Sequence, residues 1–169
     1  MATKDFSSVQ EKKVADALGW EVVTGSGARP VTPGDVKSDS WLGECKTHEE
    51  KGQKIFFDLA VWQKIQKEAD ATHRSPVLIA DDGSQDLNNT WVVCRKVSVD
   101  TTTMGMGDPN FAIRKNISFS HDKVKSHIES LYKVGGGGIV YDHICLEVRW
   151  DNQDMLIMSF LTFMKVKDR

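Results

Sequence analysis

Polar and apolar positions alternate along this chain with two different periods. Between residues 8 and 18, Val9, Val14, Ala17 and Leu18 recur at helical spacing and Gly19 stops the run, which predicts a first helix. Residues 20–24 form a short β-type run that Gly25, Ser26 and Gly27 break, and a loop carries the chain to Pro33 and Gly34. Residues 35–38 and 41–46 then read as two strands joined by a turn at Asp39 and Ser40. From 56 to 71 the period lengthens again. Leu59, Trp62, Ile65 and Ala69 make one face of a second helix, with Lys64, Lys67 and Glu68 on its wetter side. The apolar runs 76–80 and 90–94, separated by Asp81, Asp82, Gly83 and Ser84, have the length of strands.

The order α-β-β-β-α-β-β that results is that of an α/β protein with a mixed sheet flanked by helices. Farther on, residues 104–109 read as loop, 121–132 as a helix, and Gly135 to Gly138 as a flexible stretch. Ile144, Leu146, Val148 and Trp150 alternate with polar neighbours, residues 151–154 turn, and 155–163 run back, which predicts a C-terminal β-hairpin. Its apolar return strand needs cover, either beneath the core sheet or against a second copy of the chain. The expectation is one domain over residues 1–169, with a core at 7–95 and a C-terminal extension at 96–169.

Composition fits this picture. A chain of 169 residues, 40% hydrophobic and 27% charged, is long and apolar enough to bury a core without disulfides. Cys45, Cys94 and Cys145 are odd in number and far apart, which suits neither a disulfide framework nor a Cys-x-x-Cys metal knuckle, and they are expected to be reduced. The first residues lack the basic-then-apolar pattern of a signal peptide, and no apolar run approaches the roughly 18 residues that cross a bilayer. A cytoplasmic protein with no membrane partner is expected. A formal net charge of −2 does not mark out a nucleic-acid binder, yet without Glu11, Asp35 and Glu44 the balance turns to +1.

Those three acids belong to the constellation most able to do chemistry. Glu44 and Lys46 are two apart on a strand, so their side chains share a face while Cys45 faces the other way. Asp35 opens the neighbouring strand, and the short turn between the two brings its carboxylate toward the same edge. Hydrolysis of a phosphodiester needs a nucleophilic water and neutralisation of the charge developing on phosphorus-bound oxygens, and a divalent metal supplies much of both. Mg²⁺ takes oxygen ligands and keeps several waters, so one or two carboxylates, a backbone carbonyl and a substrate phosphate suffice. Asp35, Glu44 and the carbonyl of Cys45 are the candidate metal ligands, with Lys46 beside them to orient the attacking water and steady the phosphate. No His or Cys spacing matches a zinc site, and the four glycines lack the Gly-Lys-Ser/Thr ending of a phosphate loop.

The motif Pro33-Gly34-Asp35 followed by Glu44-Cys45-Lys46 resembles that of the PD-(D/E)xK nucleases. The whole order is a Glu-bearing helix, Gly25-Ser26-Gly27, Gly34-Asp35-Val36, Glu44-Cys45-Lys46, an amphipathic helix and an apolar strand. Over residues 7–94 this is similar to the archaeal-type Holliday-junction resolvases and their phage relatives. The resemblance implies a restriction-endonuclease-like αβββαβ core and a Mg²⁺-dependent endonuclease, with Mn²⁺ able to substitute. It also implies branched DNA as substrate, a homodimer, and a phage-encoded enzyme in the infected cell. It places catalytic roles on Glu11, Asp35, Glu44 and Lys46 and brings Ser26 to the site. A nuclease of the same fold acting on flaps or linear duplex, and a DNA-binding or assembly protein with an inert site, are the other readings.

Several assignments stay open between chemistry and structure. Glu11 also fits as the capping-box partner of Ser8, and Ser26 also fits a flexible loop. Ser26, Arg29, Lys37, Lys51 and Lys54 flank the site in sequence and are candidate contacts to a DNA backbone. Gln63 and Lys64, on the second helix, are candidates to reach the site from behind its ligands.

Overall fold

Nine strands make one mixed sheet in the computed structural model of this protein, which describes residues 3–25, 33–102, 104–106, 112–134 and 143–168. In chain order the elements are α1 (Thr3–Leu18), β1 (Glu21–Val22), β2 (Val36–Lys37), β3 (Trp41–Lys46), β4 (Ile55–Phe57), α2 (Leu59–Ala71), β5 (Ser75–Asp81) and β6 (Thr90–Arg95). They continue with β7 (Met104–Met106), β8 (Ala112–Ile113), β9 (Ile117–Phe119), α3 (His121–Val134), β10 (His143–Trp150), β11 (Gln153–Ser159) and α4 (Phe160–Val166). The sheet runs β1-β2-β3-β5-β6-β11-β10, with β7 and β8 both paired along the far side of β10. Among the described residues, only β3–β5 and these last two pairings are parallel. The first follows from α2, which crosses over between β3 and β5.

Each central strand has a period of two and both faces are covered. Trp41, Cys45, Val77, Ile79, Val92 and Cys94 face α1 and α4, whereas Leu42, Leu78, Ala80, Trp91 and Val93 face α2. Double burial explains why β5 reads as an unbroken apolar run. On α2 the stripe Trp62, Ile65, Ala69 is fully buried, and the Asp58 carboxylate caps the helix by accepting from Val61 N–H at 3.1 Å. Burial of a side chain the size of Ile65 stabilises by about 1.5–3 kcal/mol, so this face seats the helix firmly.

The structure departs from the sequence reading where local pattern met a stronger tertiary demand. α1 begins at Thr3, so Ser8 lies inside the helix, and Val9 is 48% exposed instead of joining the stripe of Val14, Ala15 and Leu18. The second helix begins later than expected because Ile55 and Phe57 are buried as a short strand, β4, antiparallel to β9. The core order thus gains a fourth strand before α2. Met104–Met106, read as loop, is the strand β7, and Gly135 to Gly138 lie outside the described residues.

The C-terminal hairpin joins the main sheet instead of lying beneath it: β11 pairs antiparallel with β6 over Ser159↔Trp91 to Met155↔Arg95. The boundary expected near residue 95 therefore falls between two neighbouring strands of one sheet. The return strand stops at Ser159, whose hydroxyl accepts from Thr162 N–H and caps α4. From there Phe160, Phe163 and Val166 are buried at helical spacing. Phe163 sits edge-on to both Trp20 and Trp41, whose rings stack at 6.3 Å, and Trp41 Nε1 donates to the carbonyl of Lys167. No described helix is long and apolar enough to cross a membrane.

Candidate active site

β2 is short, and the site forms where it stops. Its ladder with β3 pairs Lys37 with Leu42 and Val36 with Gly43, and Asp35 N–H still donates to the Gly43 carbonyl at 2.8 Å. At the next step a side chain replaces the backbone: Cys45 N–H donates to Asp35 Oδ2 at 2.9 Å. Glu44, Cys45 and Lys46 thus remain paired to β5 on one side while β2 has left them on the other. The N–H and carbonyl of one strand residue face the same edge, so the Cys45 carbonyl shares the vacated edge with the Asp35 carboxylate. Glu44 is buried, its Oε1 accepting from Lys46 Nζ at 3.0 Å, while the Lys46 side chain stays half-exposed.

Gln10 and Glu11 approach this edge from α1. Gln10, 2% exposed, donates through Nε2 to the Lys46 carbonyl at 2.8 Å and to Asp81 Oδ2 at 3.0 Å. Asp81, at the end of β5, accepts through Oδ1 from Thr47 Oγ1 at 2.6 Å and from Gly83 N–H at 2.7 Å. Three elements are thereby clamped at the C-terminal ends of β3 and β5. The sequence reading missed this network. Its signal was available: Gln10 is a polar residue on the stripe it shares with Val14 and Leu18, four and eight residues on. Because α1 starts at Thr3, Glu11 lies in mid-helix and the capping-box reading falls.

Electrostatics tie the acids together. Burial, then the charges of Asp35 and Glu44, push the Glu11 carboxyl up to about 7, against the pull of Lys46. Burial and then Glu44 push Asp35 up to about 6, opposed by the Cys45 N–H, Lys46 and Lys64. Burial works against the Lys46 charge, but Glu44 outweighs it and holds the ammonium above its ordinary value. The Cys45 thiol, turned into the opposite face, is pushed well up, first by burial and then by the acids.

The other expected site residues are distributed unevenly. Lys64 on α2 acts on Asp35 and pairs with Glu68 at 3.8 Å. Gln63 is a correction: its Nε2 donates to Asp151 at the β10–β11 turn, because α2 turns that side toward the hairpin. Lys37 shares the face of Asp35 two residues along β2 but lies 3.8 Å from Glu21. Lys51 and Lys54 are exposed on the loop after β3, which packs on the Asp82–Gly83 turn through Gln53 N–H to the Asp82 carbonyl. Ser26 and Arg29 lie outside the described residues.

Among the described residues no three His, Cys, Asp or Glu side chains converge into a ready-made metal cage. A hard cation of the Mg²⁺ type does not require one, since it completes its shell with water and substrate oxygens. The donors at the vacated edge, Asp35, Glu44 and the Cys45 carbonyl, are all oxygens and carry excess negative charge, which fits such an ion. No family model, curated protein or solved structure matches this chain.

Proposed function

We propose that this protein is a metal-dependent endodeoxyribonuclease of PD-(D/E)xK type, with a restriction-endonuclease-like core, acting on branched DNA. The observation that carries the reading is the junction of Asp35 with Glu44 and Lys46 across the end of β2, locked by the Cys45 N–H. A large mixed sheet with helices on both faces, and an α1 that brings Glu11 to the same edge, support it.

Each residue has a task in this reading. Asp35, Glu44 and the Cys45 carbonyl would hold Mg²⁺ or Mn²⁺, which would supply activation of water and neutralisation of charge on the phosphate. Lys46, half-exposed beside Glu44, presents its ammonium to the scissile phosphate and orients the attacking water. Lys64 adds positive charge from α2, and Glu11 completes the acidic wall. Lys37, on β2, and the exposed Lys51 and Lys54, on the loop after β3, would contact flanking phosphates. A homodimer would set two such sites across a two-fold axis, as paired nicks in a four-way junction require. The proposed setting is the cytoplasm of a phage-infected cell.

The test compares a labelled four-way junction, a flap and a linear duplex, each with and without Mg²⁺, using native protein and Asp35→Asn. Nicking of the junction that needs Mg²⁺ and disappears in Asp35→Asn is expected, as is junction binding without cutting in Ca²⁺. Intact metal-dependent nicking by Asp35→Asn sinks the assignment. Preference for the flap or duplex moves the substrate and leaves the chemistry standing, whereas binding without cutting in any metal leaves an inert DNA-binding or assembly protein.

A further inference from the structure

Asp35 is held at its N–H, its carbonyl and its carboxylate by main-chain groups of Gly43, Val23 and Cys45. The peptide just before it is held differently. Gly34 N–H donates to Oε2 of Glu68 on α2 at 3.2 Å. Gly34 is buried with φ +68°, and a Cβ there would stand 2.8 Å from Leu42 Cδ1, so this peptide has little room to move.

Glu68 is itself well seated. Its side chain is 25% exposed, and Oε1 lies 3.8 Å from Lys64 Nζ one turn earlier on the helix, which leaves Oε2 to Gly34. α2 in turn is fixed on two sides. Its stripe of Trp62, Ile65 and Ala69 is buried against the sheet. Two amides bolt it to the hairpin, Gln63 Nε2 donating to Asp151 and Gln153 Nε2 donating to Gln66 Oε1 at 2.8 Å. A carboxylate accepting from a backbone N–H makes a charge-assisted bond, stronger than a neutral one. The peptide that leads into Asp35 is thus referenced to a rigid beam behind the sheet.

We propose that Glu68 is a positioning residue for Asp35: by holding the Gly34 peptide it fixes where the Asp35 carboxylate meets the end of β3. The proposal rests on reading Asp35 as a metal ligand. It assigns Glu68 no contact with metal or substrate.

Glu68→Ala and Glu68→Gln in the full chain separate the possibilities, because Gln keeps an oxygen for the Gly34 N–H and drops only the charge. Three readouts apply without DNA: hydrogen exchange at the Gly34 amide, the Cys45 amide resonance, which reports the carboxylate it touches, and affinity for Mn²⁺. Glu68→Ala should speed Gly34 exchange, move the Cys45 resonance and weaken Mn²⁺ binding about tenfold, with Glu68→Gln, which keeps a weaker neutral bond to Gly34, between native and Glu68→Ala. An unmoved Cys45 resonance and native Mn²⁺ affinity in Glu68→Ala overturn the proposal. So does a Glu68→Gln as damaging as Glu68→Ala, which would make the charge of Glu68, and not its hold on Gly34, the thing that matters. If the native chain binds no Mn²⁺, the metal reading fails, and the two amides alone decide whether Glu68 positions Asp35.

Discussion

The main-chain N–H of Cys45 reaches the Asp35 carboxylate at 2.9 Å, so the strand that carries Glu44 and Lys46 is tied to the acid of its neighbour. An asparagine at position 35 keeps an oxygen for that bond while losing the charge. If Asp35 holds the metal as proposed, Asp35→Asn should therefore fold like the native chain and lose metal-dependent cleavage by about 100-fold or more, because several kcal/mol of charge stabilisation would go with that carboxylate. Single-turnover rates and a melting curve on the same sample check both halves. A large drop in thermal midpoint would assign the loss to folding instead.

Without a metal the acids repel one another and any arriving phosphate. Two carboxylates about 4 Å apart repel by roughly 4 kcal/mol at an effective dielectric of 20. Glu44→Gln should then bind DNA more tightly than native protein in EDTA while abolishing cleavage in Mg²⁺. Fluorescence anisotropy with a labelled junction measures the first, and weaker metal-free binding by the variant contradicts the account.

Stability should depend on pH with a definite sign. The Glu11 carboxyl rises from 4.5 to about 7 and that of Asp35 from 3.8 to about 6, so in the window from about pH 7 to 4 the folded chain binds more protons than the unfolded one. Stability without metal must then rise as pH falls through that window. Asp70 and Asp82, held low by their own partners, act in the opposite direction only below about pH 4. Melts in EDTA should show a midpoint about 5 °C higher at pH 5.5 than at pH 8, and the double variant Glu11→Gln, Asp35→Asn should reduce the difference, leaving the contribution of Asp81, which burial also holds up. A flat native profile would remove the electrostatic coupling from the description.

Gly34→Ala combines a left-handed backbone with a Cβ placed 3.1 Å from the Gly43 carbonyl and closer still to Leu42. A cost of about 1–3 kcal/mol is expected from chemical denaturation. Metal affinity should fall with it, since Asp35 is the next residue. Native stability in this variant would show that the Pro33-Gly34 entry can relax.

Phe163→Ala tests whether the last helix belongs to the core. Its ring contacts Trp20 and Trp41 and is fully buried, so a loss of about 3–5 kcal/mol is expected from equilibrium unfolding. A loss below about 1 kcal/mol would make α4 peripheral.

The elements that position the site were legible because their signals are local. β3 has its predicted limits, and α2 shows its three-four stripe, since both periods are written in consecutive residues. The pairing of Asp35 with the E-x-K strand was also within reach, as one hairpin joins them. What stayed hidden depends on distant partners. Ile55 and Phe57 become a strand only because β9 is there to pair with them, and residues after Ser159 turn helical because a serine cap outcompetes the apolar run. Gln63 was expected behind the metal ligands, but helix rotation gives that side to Asp151, and rotation is set by the burial of Trp62 and Ile65. Gln10 gave only a polar break in an apolar stripe, and Glu68 gave no motif at all. Their roles arise from where α1 and α2 land.

β6 is an interior strand, yet its outer neighbour is β11, made long after it. A ribosome releases Glu11, Asp35, Glu44 and Lys46 early and Gln153–Ser159 late. In the interval β6 offers an open row of backbone donors and acceptors on an apolar strand, the kind of edge that invites aggregation. Closing it requires a long-range pairing, which is slow. A nascent chain halted after Arg95 is therefore a hazard to be cleared by chaperones or proteases and not a smaller working domain, and the sheet beneath the acids is complete only once β11 has emerged.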